Sequence, residues 1–398
     1  MTQTCQVIIV GAGPVGTFAA YCLAERGIDV IVVEAAADCA QDMRASTFHP
    51  PTLEMLDELG IVDVLIDQGL KAPVYQHRDR KTGERITFDF SELSDATKYP
   101  FRLQCEQFKM ARLLSDKLQN HPYADVRFSQ RLLSFTQTDD HVDVSIETGT
   151  RIEHIRTRYL IGADGANSVV RKWLDLDFDG FTYPEKFLTL STTEPIEDYF
   201  EGLSHVNYIS DPEEWLVLLR VPTAWRILVP GRKEDEELTS CAYKNEIFSR
   251  LLGTDKDVET NHRTVYRVHQ RVVKKYNHNR AIVIGDAAHL NNPLGGFGMN
   301  SGLHDAWVLK SALSKILLEN GDAKKLLDAF DLERRSIMRG FIQAQTIRNK
   351  KMMEATQEDA QKAFANELKA IHADPVRRRA FLLKQSMLKC PSIAPEMA

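Results

Sequence analysis

The sequence is poor in cysteine, with six in 398 residues. None stands in a C-x-x-C pair or at a spacing typical of a metal site, so we predict no metal centre. Several lie inside predicted core elements, and we therefore expect reduced, buried thiols rather than a disulfide framework. The six are Cys5, Cys22, Cys39, Cys105, Cys241 and Cys390.

Long apolar runs and an excess of positive charge are also missing. No apolar stretch is close to the length of a membrane span, which is about 18 residues, so we predict no integral membrane segment. Polar Thr2, Gln3 and Thr4 lead directly into the first predicted strand, which argues against a signal peptide and favours a cytoplasmic protein. A net charge of −6 and a pI near 6.1 give no electrostatic case for nucleic acid binding.

What the chain does have is enough apolar material for a large core. With 43% hydrophobic residues and no repeat or low-complexity linker, it is expected to form about two or three domains. A glycine-rich loop near the N-terminus follows a β-branched run at residues 6–10, which is typical of a buried parallel strand. A predicted helix at 17–26, closed by Gly27, and a second strand at 30–33 complete a βαβ unit.

That context makes the glycine loop a dinucleotide-binding signature. Gly11 permits the tight turn, Gly13 lets the backbone approach a pyrophosphate, and Gly16 allows close packing of helix on strand. The helix N-terminus adds amide donors and a partial positive charge. The predicted contacts of this loop are Gly11, Gly13, Pro14, Val15 and Gly16.

Glu34 ends the second strand of this unit. Its carboxylate is placed to accept hydrogen bonds from the adenosine ribose hydroxyls, with Ala35 beside it in the same contact. A carboxylate there would repel a 2′-phosphate, so the loop is not expected to be an NADP site.

A second ligand-binding pattern lies almost three hundred residues further on. Residues 280–284 form a buried-strand pattern, and Asp286 stands at its end, where it can accept from a ribitol hydroxyl. Glycines 295, 296 and 298 leave room for a planar ring to approach the backbone. We predict a helix at 299–318, whose N-terminal amides would favour negative charge on that ring. The predicted cofactor contacts here are Asp286, Pro293, Gly296, Gly298, Met299 and Asn300.

Together the two patterns indicate one extended dinucleotide held at both ends, which favours FAD over NAD. Residues 159–171 add a strand, an Asp164-Gly165 turn and a helix start between them, and we predict that Asp164 contacts the same ligand. The alternative for Asp164 is an ordinary turn with a capping aspartate. His289 is a candidate acid or base, but a structural hydrogen-bonding role is favoured.

These three segments, in this order and spacing, resemble the class A flavoprotein monooxygenases, the FAD-dependent aromatic hydroxylases typified by 4-hydroxybenzoate hydroxylase. The resemblance runs from about residue 5 to about residue 345 and includes residues 44–47 ahead of a helix at 51–60. Residues 103–108 resemble the family segment whose glutamine, here Gln104, contacts the ribityl chain of the flavin. Phe297 departs from the family pattern, in which a polar residue often stands at this position.

The resemblance implies an α/β fold with a Rossmann-like, glutathione-reductase-type (GR2-type) FAD-binding domain. It also implies a mostly antiparallel substrate sheet that covers the reactive face of the flavin. We predict a discontinuous FAD domain at 1–72, 97–176 and 272–345, a substrate domain at 73–96 and 177–271, and a helical tail at 346–398. The tail carries an arginine run at 377–379, which is expected to lie on a solvated helix packed on the FAD domain, with contact to an anionic membrane or a partner as the alternative.

The implied reaction is hydroxylation of a small phenolic or heteroaromatic compound, with or without a carboxylate, by a single-component monooxygenase. NADH or NADPH reduces FAD, and O2 then gives a C4a-hydroperoxyflavin that transfers oxygen to the ring. Pro293, Gly295 and Gly296 would border the transfer site, and Arg44 would steer the nicotinamide or balance the flavin charge; a surface salt bridge is the alternative for Arg44. The sequence shows no second glycine fingerprint for the nicotinamide, and a monomer or a homodimer is expected.

The substrate residues are less determined by the sequence. Alternation in the second insertion gives Tyr208, Trp215, Arg220 and Arg226 as candidates, with Trp225 beside them, and an arginine there would suit an aromatic carboxylate. For each of them a structural role is an equal alternative. Other functions also stay open: a flavin-dependent halogenase, although its W-x-W-x-I-P signature is missing, a geranylgeranyl-reductase-like enzyme, and a non-catalytic flavin-binding regulator.

Overall fold

A computed structural model describes residues 3–40, 45–211, 214–354 and 358–389. The strands are β1 (Gln3–Val10), β2 (Val30–Val33), β3 (Thr47–Phe48), β4 (Leu70–Ala72), β5 (Val74–Asp79), β6 (Arg85–Asp89), β7 (Arg102–Gln104), β8 (Ala124–Arg127), β9 (Gln130–Gln137), β10 (Val142–Thr148), β11 (Arg151–Gly162), β12 (Phe178–Thr192), β13 (Val206–Ser210), β14 (Leu216–Val221), β15 (Ala224–Gly231), β16 (His262–Val273), β17 (Asn277–His278), β18 (Ala281–Val283) and β19 (His289–Leu290).

The helices are α1 (Pro14–Ala24), α2 (Pro50–Glu58), α3 (Val62–Asp67), α4 (Gln107–Gln119), α5 (Val169–Trp173), α6 (Asp235–Leu238), α7 (Cys241–Leu252), α8 (Phe297–Leu318), α9 (Ala323–Ile337), α10 (Ala344–Met353), α11 (Glu358–Ala373) and α12 (Pro375–Gln385). A π-helical segment, Met338–Gln343, joins α9 to α10 without a break. No helix in the described ranges is both long and apolar enough to cross a bilayer.

The first sheet has the order β17-β18-β11-β1-β2-β8, and β10 and β9 continue antiparallel from β11. Its centre, from β18 to β8, is parallel. The central strands are apolar and buried on both faces, as a parallel sheet between layers of helices requires. The predicted βαβ unit and the α/β fold class are thereby confirmed.

The second sheet has the order β19-β16-β12-β15-β14-β13-β5-β6 and is antiparallel except for the parallel pair β13 and β5. Strands from both predicted insertions lie in it, which confirms that the insertions form a mostly antiparallel sheet. β19, from the stretch just before the second glycine loop, pairs with β16 at its edge. The sheet is therefore joined directly to the segment predicted to hold the flavin.

The two faces of this second sheet have separate cores. One face, here called the outer face, carries Leu188, Leu218 and Ile227 and is covered by α7. The opposite face, here called the inner face, carries Phe187, Tyr208, Trp215, Val217 and Leu228 and packs with the C-terminal helices and Leu294. Because side chains alternate along a strand, this division fixes the direction of the residues of β13 to β15 and of the part of β12 that follows its irregular register at 182–186.

The C-terminal helices do not pack where they were predicted. They cover β6 and the short turn of helix after it: Phe381 lies 4.9 Å from Phe88 between ring centroids, and Arg378 and Arg379 pair with Glu92 and Asp95. The expectation of packing on the FAD domain is wrong, because apolar residues of α11 and α12 complete the core of the inner face. Two of the three arginines at 377–379 thus form ion pairs within the protein.

The described cysteines form no disulfide, and Cys22, Cys39 and Cys105 are buried thiols, as predicted. Cys241 differs, because it is exposed at the start of α7. Cys390 lies outside the described residues.

Candidate active site

The first glycine loop is closed against the Asp164 turn. Gly11 has a φ of +105°, and a Cβ there would stand 2.5 Å from the carbonyl oxygen of Ala163. A Cβ at Gly16 would stand 1.9 Å from the oxygen of Gly11. Both positions therefore require glycine for the protein's own packing, before any ligand is considered.

Gly13 is different, because a Cβ built on it meets no atom within 4 Å. Its backbone is extended, and α1 begins after it at Pro14 with no side-chain cap on its first amides. The helix thus begins three residues earlier than predicted. Its free N–H groups and the open space beside Gly13 are the features of an anion-binding helix N-terminus.

Glu34 is held in place by two main-chain N–H groups, one in the glycine loop and one two residues further along the chain. Its carboxylate accepts from Ala12 N–H at 2.8 Å and from Ala36 N–H at 2.9 Å. The group is half-buried at the end of β2, and Ala35 beside it is exposed. This orientation puts the carboxylate next to the glycine loop, where a ribose was predicted.

Asp164 uses one oxygen structurally and leaves the other free. Oδ2 accepts from Val169 N–H at 2.6 Å and Val170 N–H at 3.1 Å, so the capping role is confirmed. Oδ1 is buried and has no hydrogen-bond partner among the described residues. Burial raises the pKa of this carboxyl above its usual value. A ligand hydroxyl donating to Oδ1 would satisfy it.

Arg171 joins the Asp164 turn to the Asp286 turn. Its guanidinium donates to Ala166 O at 2.6 Å and to Ala287 O at 3.0 Å, and it lies over the Phe178 ring. Asp286 lies half-buried in the turn Gly285–Ala287. The two predicted carboxylate turns are thus parts of one connected framework.

Val15 brings the two ends of the predicted ligand site together. A Cβ at Gly285 would lie 3.1 Å from a Val15 methyl, and one at Gly302 would lie 2.6 Å from it. The start of α1 and the first turns of α8 are therefore in contact. This packing explains a glycine inside α8 that the sequence left unexplained.

The second glycine loop turns through two left-handed residues, Gly295 (φ +104°) and Gly296 (φ +71°). Gly296 is the N-cap of α8, again with no side-chain cap, and the helix begins at Phe297 rather than at Met299. Pro293 precedes the turn and accepts from Gly296 N–H at 3.0 Å. The amides of Phe297, Gly298 and Met299 are left without partners within the helix.

Phe297 points into the protein rather than toward the loop surface. Its ring is fully buried and stacks on His49 at 5.3 Å, and a Cβ at Gly295 would lie 2.3 Å from it. The ring therefore forces glycine at 295. The departure from the family pattern thus concerns the packing beneath the loop.

Asn300 was predicted to contact the cofactor, but its side chain makes its hydrogen bonds within the protein. Oδ1 accepts from His49 N–H and Thr52 Oγ1, and Nδ2 donates to the carbonyls of Thr47 and Gly296. These bonds use the donors and acceptors of the Asn300 side chain within the protein, and its predicted contact with the cofactor stays a prediction.

Gln104 faces the same region from β7. Its Oε1 accepts from Thr47 Oγ1 at 3.1 Å, whereas Nε2 is fully buried and has no partner in the described chain. Thr47 lies against Gly296, so this amide is close to the second glycine loop. Arg44, predicted at the flavin, lies outside the described residues.

His289 belongs to a buried ionic cluster beneath the loop. Nε2 lies 2.7 Å from Asp305 Oδ2, and Arg334 Nε donates to Asp305 Oδ1 at 2.7 Å. Burial alone would raise the pKa of Asp305, but His289 and Arg334 hold it below its usual value. All three side chains are buried, which confirms a structural hydrogen-bonding role for His289.

The substrate candidates divide between the two faces of the second sheet. Tyr208 and Trp215 belong to the inner face. Arg226 is buried and alternates with Trp225 and Ile227 of the outer face, so it also points inward. Arg220 lies over the Trp225 indole at 5.7 Å and belongs to the outer face. The prediction for Arg220 is therefore wrong, because its position in β14 directs it away from the glycine loops.

A small cavity lies between the inner face and the C-terminal helices. It is lined by apolar and aromatic side chains with Gln345, Asn349 and Arg348, and its free volume is about 20 Å³, enough for a water molecule. Admitting an aromatic ring requires side chains such as Met352 or Met353 to move, which flexible methionines allow. The lining residues are His77, Tyr208, Leu294, Gln345, Arg348, Asn349, Met352, Met353, Phe364, Leu368, Phe381 and Gln385.

His77 and Leu294 line this cavity, although neither was predicted from the sequence. His77 stacks on Tyr208 at 5.1 Å, and burial lowers its pKa to about 3, so the ring is neutral. Leu294 belongs to the second glycine loop and reaches this cavity, and Asn349 Nδ2 donates to its carbonyl at 3.3 Å. Alternation of Tyr75 and His77 in the first insertion was the available signal.

A larger cleft of about 880 Å³ lies on the other side of Met353. Trp215, Tyr183 and Lys350 line it, and Lys350 pairs with Glu185 and Glu354. Met353 lines both the cleft and the cavity, so it separates them.

The residues present fit FAD. Gln104 Nε2 and Asp164 Oδ1 are buried polar atoms that lack partners in the described chain, and α1 and α8 both begin without side-chain caps. Gly13 leaves open space where a pyrophosphate would approach. These features suit one dinucleotide, with contacts at both of its ends and at its centre.

Comparison with known proteins also indicates a chain that binds FAD. The FAD binding domain family matches residues 4–345. Para-nitrophenol 4-monooxygenase of Pseudomonas sp. (strain WBC-3) is 32% identical over 345 residues, 84% of this chain and 84% of that protein. 6-Hydroxy-3-succinoylpyridine 3-monooxygenase of Pseudomonas putida (strain DSM 28022 / S16) is 32% identical over 339 residues, 84% and 85% of the two chains.

The crystal structure of p-nitrophenol 4-monooxygenase from Pseudomonas putida DLL-E4 superposes with a TM-score of 0.91 at 27% identity, covering 97% of this chain and 99% of that one. Nearly the whole chain thus shares its fold with a solved relative. This chain belongs to the class A FAD-dependent aromatic monooxygenases.

Proposed function

We propose that this chain hydroxylates a small phenolic or heteroaromatic compound, consuming NADH or NADPH and O2. The observation that carries the proposal is the meeting of the second glycine loop with the inner face, where Leu294 and Tyr208 line one cavity. A loop that approaches a flavin ring from one side and a substrate cavity from the other is what oxygen transfer to an aromatic ring requires.

The proposed cofactor contacts follow the two loops and the turns between them. Glu34 would accept from the adenosine ribose, and the free amides of α1 would receive the pyrophosphate. Asp164, Asp286 and Gln104 would contact the centre of FAD, and the amides of residues 297–299 would face the ring. FAD, when bound, supplies electron transfer from the nicotinamide and activation of O2.

The chain itself has three tasks in this proposal. Pro293 and the turn at Gly295 and Gly296 border the reacting ring and keep side chains out of its way. The uncapped start of α8 stabilises negative charge near the ring. The inner face and the C-terminal helices exclude water, and the cleft beyond Met353 offers a route for the substrate. For Arg44 we retain the proposed role at the flavin.

The relatives support a ring that carries a hydroxyl group. The two described above are a monooxygenase of para-nitrophenol and one of 6-hydroxy-3-succinoylpyridine, a hydroxylated pyridine. The inner-face Arg226 and the neutral His77 of the cavity are groups that can bind such an oxygen. We also propose the domain division given above, with the helices at 346–354 and 358–389 as one wall of the substrate cavity.

A substrate panel tests this function. FAD-loaded protein is incubated with NADH or NADPH and a series of phenols and hydroxypyridines, with and without a carboxylate. We expect at least one ring to stimulate nicotinamide oxidation and to give a product heavier by one oxygen atom. Absence of stimulation and product across the panel would contradict the proposal.

A further inference from the structure

Helix α10 is the wall between the small cavity and the large cleft. Gln345 and Asn349 of this helix line the cavity, whereas Lys350 and Lys351 line the cleft. Residues three or four positions apart share a helix face, so the two spaces lie against neighbouring faces of one helix. Met353 lines both spaces and is 3% exposed. Movement of this one flexible side chain would therefore join the cavity to the cleft.

The two spaces differ greatly in size. The free volume of the cavity is about 20 Å³, and that of the cleft is about 880 Å³. Pockets that bind small molecules usually have volumes of about 300–1,000 Å³, so the cleft is large enough for a ligand without rearrangement. A single aromatic ring in the cavity would leave the cleft empty. A ring that carries a chain can use both spaces.

The cleft offers apolar surface along with charged groups. Trp215 lines it and is 5% exposed, and Tyr183 and Ile347 line it as half-buried side chains. Phe181 also lines it, and its ring is 45% exposed and contacts Tyr183 edge-on at 4.9 Å. Removing methylene groups from water against such surfaces is favourable. These side chains therefore suit the hydrocarbon part of a chain.

Each acidic side chain that lines the cleft pairs with a cation. The pairs are Asp211 with Arg80, Glu214 with Arg250, and Glu185 and Glu354 with Lys350. Although two carboxylates share Lys350, burial raises the pKa of Glu354, so this carboxyl takes up a proton more readily than a solvated one. The acidic groups of the cleft are therefore largely occupied within the protein.

Two cations that line the cleft, Arg232 and Lys351, pair with no carboxylate of the described residues. Lys233, the neighbour of Arg232, differs because it pairs with Glu237 at 2.7 Å. Arg232 directly follows β15 and Lys351 lies on α10, so one cation belongs to the sheet side of the cleft and the other to the helix side. Both side chains are exposed to solvent. An anion between the two walls would pair with both of them.

We propose that the cleft binds a chain carried by the aromatic substrate. The ring occupies the small cavity, and a flexible hydrocarbon chain passes Met353 and ends in a carboxylate that pairs with Arg232 and Lys351. The inference rests on the proposed function and names its substrate class, a hydroxylated ring with a chain that ends in an acid. Arg232 and Lys351 determine specificity here, because they contact the far end of the substrate and take no part in the chemistry of the ring.

An equilibrium binding experiment tests the inference without turnover. FAD-loaded protein, with no nicotinamide present, is titrated with three ligands, and the change in flavin absorbance is followed. The ligands are p-nitrophenol, hexanoic acid with a para-hydroxyphenyl group at its far end, and the hexanol that matches this acid. An exposed ion pair strengthens binding by up to about fivefold, so two of them should favour the acid over the alcohol about tenfold.

Replacing both cations should remove this preference. The double variant Arg232→Gln, Lys351→Gln should bind the acid and the alcohol equally, and it should fold because both positions are exposed. Arg151→Gln with Lys81→Gln is the matched control, because it removes two exposed cations that lie outside the cleft. The control variant should retain the preference for the acid.

Three results would overturn the inference and leave the proposed function intact. They are equal binding of acid and alcohol by the unmodified protein, a preference that survives in the double variant, and an equal loss of preference in the control variant. Failure of the unmodified protein to bind p-nitrophenol or either of the other phenols would overturn the proposed function as well.

Discussion

The side-chain carbonyl of Asn300 accepts the main-chain N–H of His49 at 3.0 Å, although the two residues are 251 positions apart. His49 returns a hydrogen bond from Nε2 to the carbonyl of Gly295 at 2.8 Å. The second glycine loop is thus held from beneath by α2, and its conformation does not depend on a ligand. Such a preformed loop can face a flavin without reorganising when the cofactor binds.

Replacing Asn300 should therefore destabilise the loop. Asn300→Ala leaves the N–H of His49 and the carbonyls of Thr47 and Gly296 without partners, and each buried group costs about 1–3 kcal/mol. We expect a loss of about 3 kcal/mol or more in urea denaturation, with weaker FAD retention. Asn349→Ala removes one bond to the same loop and is the control, with a loss of about 1 kcal/mol. Equal losses in the two variants would contradict this role.

Gly13 separates cofactor binding from folding. Because a Cβ at this position meets nothing within 4 Å, Gly13→Ala should fold with unchanged stability. A methyl group in the path of the pyrophosphate should nevertheless reduce FAD affinity at least tenfold, measured by fluorescence titration of the apoprotein. Gly11→Ala is the contrast, because it clashes with Ala163 and should lose stability as well. Normal FAD binding by Gly13→Ala would show that the loop does not belong to the proposed site.

The two arginines of the neighbouring strands β14 and β15 should differ in their effects. Arg226→Gln changes the inner face and should raise the KM for the aromatic substrate about tenfold or more, because a charged hydrogen bond contributes about 1.5–3 kcal/mol. Arg220→Gln changes the outer face and should leave both KM and kcat unchanged. The measurement is steady-state nicotinamide oxidation with the best ring from the panel. The reverse result would show that the faces are assigned wrongly.

Acid should destabilise the protein through its buried histidines. Burial, assisted by Arg334, lowers the pKa of His304 to about 3, whereas an unfolded histidine titrates near 6.5. As the pH falls below 6.5 the unfolded chain gains a proton that the folded chain does not, so stability decreases by about 1.4 kcal/mol per pH unit for each such histidine. Between pH 6 and pH 4, the stability of His304→Leu in urea denaturation should fall less steeply than that of the unmodified protein, by about 1.4 kcal/mol per pH unit. Parallel curves for the two proteins would exclude a neutral His304.

Much of the FAD side of the molecule could be predicted from the sequence. Strands such as 30–33 and the helix after Gly11 are encoded by local patterns of apolar residues and glycine. The helix starts at Pro14 and Phe297 were missed by two or three residues, because uncapped helices carry no capping side chain to mark their first turn.

The substrate side was harder to predict for physical reasons. The direction of Arg220 depends on the register of β14, which pairing with its neighbours decides. The place of the C-terminal helices depends on apolar residues such as Phe88 and Phe381, almost three hundred positions apart. For His77 the alternation of its strand is the only local signal, since its place in the cavity wall depends on Tyr208, which is 131 positions away.

In the proposed reaction one atom of O2 enters an aromatic ring at the expense of NADH or NADPH. The direct test is turnover of FAD-loaded protein under ¹⁸O2, with mass spectrometry of the product. We expect a hydroxylated ring that carries one labelled oxygen for each nicotinamide oxidised in productive turnover. A product that takes its oxygen from water, or nicotinamide oxidation that gives only peroxide with every ring tested, would contradict it.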